Sequence, residues 1–248
     1  MFKQSIWAVL ALLAAGFSWA ELRPVDYRDG KQALQGWVAE PTALRAQGQK
    51  AVLILPAWKG VDNEARQAAE DLQAAGYLAM VADVYGKGKA PTDNEAAKKL
   101  SSQYKSDYAL YQSRIQAGID ALVRQGADPK HIAVIGYCFG GTGALEAARG
   151  QLPVRAVVSI HGGLSKGQRA NGPIAPKVLV LHGAEDASVP ESDVEALRQE
   201  LRAANSDWQL IYYAGSKHTF TNPESPDYNA LMSQRAWQHT LQFLAEVL

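Results

Sequence analysis

Six short stretches constrain this chain most: AVLILP (51–56), YLAMVADVY (77–85), HIAVIGY (131–137), VRAVVSI (154–160), KVLVLHG (177–183) and WQLIYY (208–213). Most are nearly continuous apolar runs rather than alternating ones, as in strands buried on both faces. Between them the apolar residues recur at helical spacing. Over 62–75 these are Ala65, Ala68, Leu72 and Ala75, with Asp62 as cap; helical spacing also runs through 95–125 and 140–148. From Glu191 to Ala204 they are Val194, Leu197, Leu201 and Ala204, and in the last helix Trp237, Leu241, Leu244 and Leu248. Strands alternating with helices predict an α/β fold, a mostly parallel sheet with helices on both faces. Leu22 to Tyr27 and Leu34 to Ala39 read as an antiparallel pair turned at Asp29-Gly30. Ligands of such sheets bind beyond the carboxyl ends of the strands.

Lys3, an apolar run from Ile6 to Ala15 and the small residues Ser18 and Ala20 form the pattern of a secretory signal peptide cut after Ala20. The run is too short for a membrane anchor. Residues 1–20 are therefore read as a leader and 21–248 as one α/β domain, exported and periplasmic, with no membrane anchor after cleavage. Without Lys3 the chain carries 24 basic against 25 acidic residues. That balance gives no electrostatic case for nucleic acid. No Cys/His spacing suggests a metal, and no cofactor is called for.

Cys138 is the single cysteine in 248 residues, although exported chains usually pair their thiols. One reading is a small buried apolar residue. Its neighbours favour another. Gly136-Tyr137-Cys138-Phe139-Gly140 has the form G-x-nucleophile-x-G, between an apolar strand and a helix. The turn would lift the thiol above the sheet at a helix N-terminus, where the dipole favours thiolate. The Phe139 N–H would then face a substrate oxyanion. In this architecture an acid and then a histidine follow, each after a later strand. Asp186, in HGAEDASVP, supplies the acid, with Glu185 as its neighbour and competitor, and His218, in KHTFTNP, supplies the base. His161 and His182 end strands but precede the acid, His131 opens a strand, and His239 lies in the final helix.

With these residues in place, the chain resembles the dienelactone hydrolase family of α/β-hydrolases. GYCFGG resembles the family's nucleophile turn, VADVYG the strand end before its variable loop, HGAEDASVP its acid loop and KHTFTNP its histidine loop. The resemblance implies an α/β-hydrolase fold and hydrolysis of a small ester or lactone by Cys138, His218 and Asp186 through an acyl-enzyme. It also implies the backbone N–H of Trp58 as second oxyanion donor beside Phe139. Where the family carries a glutamate just before that donor, this chain has Ala57. The family's two carboxylate-holding arginines give way to Lys87 or Lys89 in GKGKAP and to Thr221-Asn222 in the histidine loop. Lys87, Lys89 and Asn222 are thus the candidate substrate-binding residues. A thioesterase or acyl transferase could use the same three side chains. A binding or redox-sensing protein on a hydrolase scaffold is the reading from a different class.

Overall fold

The computed structural model describes residues 22–43 and 48–248. The expected leader and its cut after Ala20 lie outside them. In chain order the elements are β1 (Arg23–Asp29), β2 (Gln32–Ala39), β3 (Gln49–Leu55), α1 (Asn63–Ala74), β4 (Leu78–Val81), α2 (Asn94–Ser106), α3 (Tyr108–Arg124) and β5 (Ala127–Tyr137). There follow α4 (Phe139–Arg149), β6 (Ala156–Ile160), β7 (Lys177–Gly183), α5 (Glu191–Ala203), β8 (Trp208–Tyr213) and α6 (Ala230–Val247). The eight strands form one sheet in the order β1-β2-β4-β3-β5-β6-β7-β8. Pairing is parallel from β4 through β8, while β1–β2 and β2–β4 are antiparallel.

The apolar runs are explained by burial on both faces. Leu53, Leu55, Val134, Val157 and Val180 pack with α3, α4 and α5 on one side. Val52, Ile54, Ile135, Val158 and Leu181 pack with α1 and α6 on the other. Because side chains alternate along a strand, consecutive apolar residues serve opposite cores.

Asp62 caps α1 as its sequence position predicts, accepting from the Ala65 amide at 2.9 Å. The helical stretch 95–125 is instead two helices broken at Asp107. That residue ends α2 and caps α3, its carboxylate accepting from the Leu110 amide at 3.0 Å. A side chain that bonds its own downstream amides competes with the helix it interrupts. Only Leu78–Val81 of the 77–85 run pairs as a strand; the next residues are bound locally by Asp83, whose carboxylate accepts from the Tyr85 and Gly86 amides. The stripe on α6 is also rotated from expectation. Ala236, Thr240, Leu244 and Val247 are buried, while Trp237 and Leu241 are partly buried against the same core.

From β3 the chain runs outward to β4 and then crosses back to β5 and β6. The switch point therefore falls between β3 and β5, where a crevice opens beyond the strand ends. Register places Leu55 beside Gly136 and Tyr137 beside Ile160. The chain leaves these neighbouring strands at Pro56, Cys138 and His161.

Candidate active site

Cys138 occupies a turn that ordinary residues avoid. Its φ of 51° and ψ of −110° lie outside the regions open to L-residues at low cost, and such strain costs on the order of 1–3 kcal/mol. Two glycines permit the turn: a Cβ on Gly136 would fall on the Gly140 carbonyl, and one on Gly140 on the Leu55 carbonyl. The Cys138 amide fastens the strained residue by donating to the Ile160 carbonyl at 3.0 Å and to His161 Nδ1 at 3.1 Å. The thiol is half-buried, at the cap position of α4.

The loops after β7 and β8 leave the sheet side by side, with Gly183 paired to Tyr213. They are tied together by the Ala184 amide on the Tyr213 carbonyl and the Glu185 amide on the Ser216 carbonyl. This brings His218 between the other two candidates. His218 Nε2 lies 3.1 Å from Cys138 Sγ, and His218 Nδ1 lies 2.8 Å from Asp186 Oδ2. Asp186 Oδ1 accepts from the Ser188 amide at 2.9 Å. Asp186 is buried and Glu185 exposed, so the neighbouring carboxylates differ in environment.

Electrostatics follow from these contacts. Burial alone would lower the His218 pKa. The hydrogen bond to Asp186, then the bond to and negative charge on the Cys138 sulfur, overcome burial and raise it to about 10. For Asp186, burial pushes upward, but the His218 contact and the Ser188 amide hold the carboxyl below its usual range.

The two expected oxyanion amides belong to segments fixed by one aromatic group. Phe139 opens α4, and the first amides of a helix have no partner within it. Its ring is buried between Tyr111, with centroids 4.7 Å apart, and Tyr85, 5.5 Å away. The Ala57 carbonyl accepts from the Gly60 amide at 3.0 Å, which orients the peptide unit carrying the Trp58 N–H. Tyr85 donates its hydroxyl to the Trp58 carbonyl at 2.7 Å. Tyr85 thus braces the Trp58 turn with its hydroxyl and the Phe139 turn with its ring.

The three candidate substrate-binding residues have hydrogen-bond partners other than Cys138, His218 and Asp186. Lys87 pairs with both oxygens of Asp26 at 2.9 and 2.8 Å, and Lys89 bonds Gln32 at 2.8 Å, so both amino groups are engaged along the β1–β2 hairpin. Lys87 also borders a cavity of about 160 Å³ shared with Ala57, Tyr85 and Phe139. Asn222 borders a different cavity, between α1 and α6, and accepts from the Glu224 amide. Among the described residues, no cluster of His, Cys, Asp or Glu side chains could hold a metal ion.

Sequence reasoning set His161 aside because it precedes the acid. The structure buries it completely beneath Cys138, with its ring 5.5 Å from that of His218. Burial, aided by repulsion from His218, lowers its pKa to about 3, so the ring is neutral. Its Nε2 meets Thr221 Oγ1 at 2.8 Å, and Thr221 donates to Glu64 Oε1 at 2.6 Å. The one sequence signal for this assembly was the position of His161, at a strand end next to the strand that leads into Cys138.

The sequence model of the dienelactone hydrolase family matches residues 34–248. Among solved structures, a dienelactone hydrolase-like promiscuous phosphotriesterase from metagenomic libraries is 32% identical with a TM-score of 0.85, covering 91% of this chain and 98% of that one. An Escherichia coli (strain K12) protein assigned as a carboxymethylenebutenolidase is 27% identical over 208 residues, 79% of this chain and 76% of the other. Esterase 2 of Thermogutta terrifontis, at 17% identity and a TM-score of 0.68, covers 95% of this chain and 98% of its own, a likeness of fold.

Proposed function

Since the chain belongs to the dienelactone hydrolase family of α/β-hydrolases, we propose that it cleaves a small ester or lactone with Cys138 as nucleophile, His218 as acid–base and Asp186 as the group that orients His218. The chain is a hydrolase acting on esters or lactones; the finer assignment rests on one observation. The two nitrogens of His218 lie 3.1 Å from the Cys138 sulfur and 2.8 Å from Asp186, in the order sulfur, imidazole, carboxylate. That sequence of contacts is what a nucleophile, its base and the orienter of that base require.

The Cys138 sulfur attacks the substrate carbonyl carbon, a C–S bond forms and the carbonyl electron pair moves to oxygen. The amides of Phe139 and Trp58 hold that oxyanion. Loss of one such donor typically costs about 10²–10³ in rate. As the tetrahedral centre collapses, the C–O bond breaks and the departing alkoxide takes the Nε2 proton of His218. Water then enters, gives a proton to Nε2 and adds to the thioester. Breaking the C–S bond releases the carboxylic acid and restores the sulfur. Asp186 keeps the Nδ1 proton in place throughout and stabilises the imidazolium.

Export with cleavage after Ala20 belongs to the same proposal, on the strength of Lys3, the Ile6–Ala15 run and Ala20. The test of function is a panel of aryl esters, lactones and thioesters run with the native protein and with Cys138→Ala. Native hydrolysis that falls at least about 10³-fold in the variant is the expected result. Preference within the panel separates ester from thioester chemistry. Undiminished hydrolysis by Cys138→Ala overturns the assignment.

A further inference from the structure

Behind the thiol runs a chain of hydrogen bonds whose donors and acceptors can be assigned from the Cys138 amide to Glu64. A backbone N–H can only donate, so His161 Nδ1 is the unprotonated acceptor of the Cys138 amide at 3.1 Å. The ring proton therefore sits on Nε2 and is donated to Thr221 Oγ1 at 2.8 Å. Thr221 has one hydroxyl proton left, and it goes to Glu64 Oε1 at 2.6 Å. The chain joins α1, the histidine loop, the end of β6 and the strained residue of the nucleophile turn. Glu64, Thr221 and His161 are all buried.

We propose that Glu64 is a positioning residue of this site, acting through Thr221 and His161 on the backbone amide that holds Cys138 in its strained turn. The inference rests on Cys138 being the nucleophile. Glu64 is buried yet reachable, since it lines a cavity of about 400 Å³ with Tyr137, Thr221 and Trp237. The charged groups facing that cavity are acidic: Asp71 from α1 itself and Glu224 from the histidine loop, with Asp62 close by at the helix cap. Their hydrogen-bond partners are neutral, Asn63 on Glu224, Gln67 on Asp71 and the Ala65 amide on Asp62. Arg66, the basic residue nearest in α1, is stacked over Trp37 instead. From β5 the facing titratable group is Tyr137, which burial keeps protonated, and just after β6 it is His161, which is neutral.

These surroundings disfavour the carboxylate. Burial, against the pull of the Thr221 bond and with repulsion from Asp62 and Glu224, raises the Glu64 pKa to about 8. Below that pH Glu64 is a neutral acid and the relay carries no net charge. Above it, a negative charge appears at the far end of the relay, in a region of low dielectric, and opposes the oxyanion forming at Cys138.

The test is the pH dependence of kcat/KM for the native protein, Glu64→Gln and the Thr221 variants on one aryl ester. Native activity should step down by roughly three- to tenfold near pH 8, before the fall set by His218 near pH 10. Glu64→Gln should lack the first step and keep the second, because glutamine accepts from Thr221 without ionising. Thr221→Val should lower kcat more than it changes KM, and Thr221→Ser should restore it. That pair reads the relay even if Glu64→Gln fails to fold. A native profile with no step near pH 8, a step that survives in Glu64→Gln, or Thr221→Val with unchanged kcat overturns the inference. Cys138→Ala separates the two failures: if it stays active the nucleophile assignment falls, whereas an inactive Cys138→Ala with an unchanged Glu64→Gln profile sinks the relay alone.

Discussion

His218→Ala should lower kcat by about 10²–10⁴-fold, the usual share of a positioned acid–base group, with the fold retained. In the proposed mechanism the variant loses both the proton donor to the leaving group and the base for water. It also removes the cation beside the sulfur. Iodoacetamide should modify Cys138 in the folded native protein, and should do so more slowly in His218→Ala. The His218 pKa is about 10 in the folded chain against about 6.5 unfolded. A raised folded value gives stability that is fully present below pH 6.5 and is lost as pH rises through about 10. The native protein should therefore lose melting temperature as pH rises through about 10, and that loss should be smaller in His218→Ala. Alkylation at the same rate in both proteins would show that His218 does not govern the thiol.

Asp186→Asn is the second large effect. An asparagine at this position can present its amide to Nδ1, which favours the wrong ring tautomer and leaves Nε2 unable to accept a proton. Precedent from serine triads puts the loss near 10⁴ in kcat. The Ser188 amide still finds a side-chain oxygen in the variant, so folding should survive. Glu185→Gln is the matched control. Glu185 is exposed while Asp186 is buried against His218, so its substitution should change kcat by less than about twofold, as surface changes do. If Glu185→Gln proves the damaging change, the orienting carboxylate has been misassigned.

Some of this architecture was legible in the sequence because the physics behind it is local. An apolar run with no alternation reports burial on two faces, and the helices reported themselves by spacing and by caps such as Asp62. The order of Cys138, Asp186 and His218 could be read because strand-following loops in a parallel sheet all open at one edge. Other features depended on contacts between distant residues. Thr221 meets Glu64 across 157 positions and His161 across 60, and no periodicity marks such partners. The double role of Tyr85 needs both the β4 loop and the nucleophile turn in place. Asp107 was local but ambiguous, since a lone aspartate within helical spacing can cap or be solvated. Lys87 and Lys89 lay in the loop the resemblance pointed to, yet Asp26 and Gln32 on the neighbouring hairpin take their amino groups.

The central claim is that the substrate acyl group passes through the Cys138 sulfur. The most direct test is mass spectrometry of protein quenched in acid during turnover of an activated acetate ester, with the modified peptide sequenced. The account predicts one acetyl group per chain, carried by the peptide containing Cys138, formed and lost at rates that match turnover. Steady hydrolysis with no acyl group on Cys138, or with the group on another side chain at a competent rate, would contradict it.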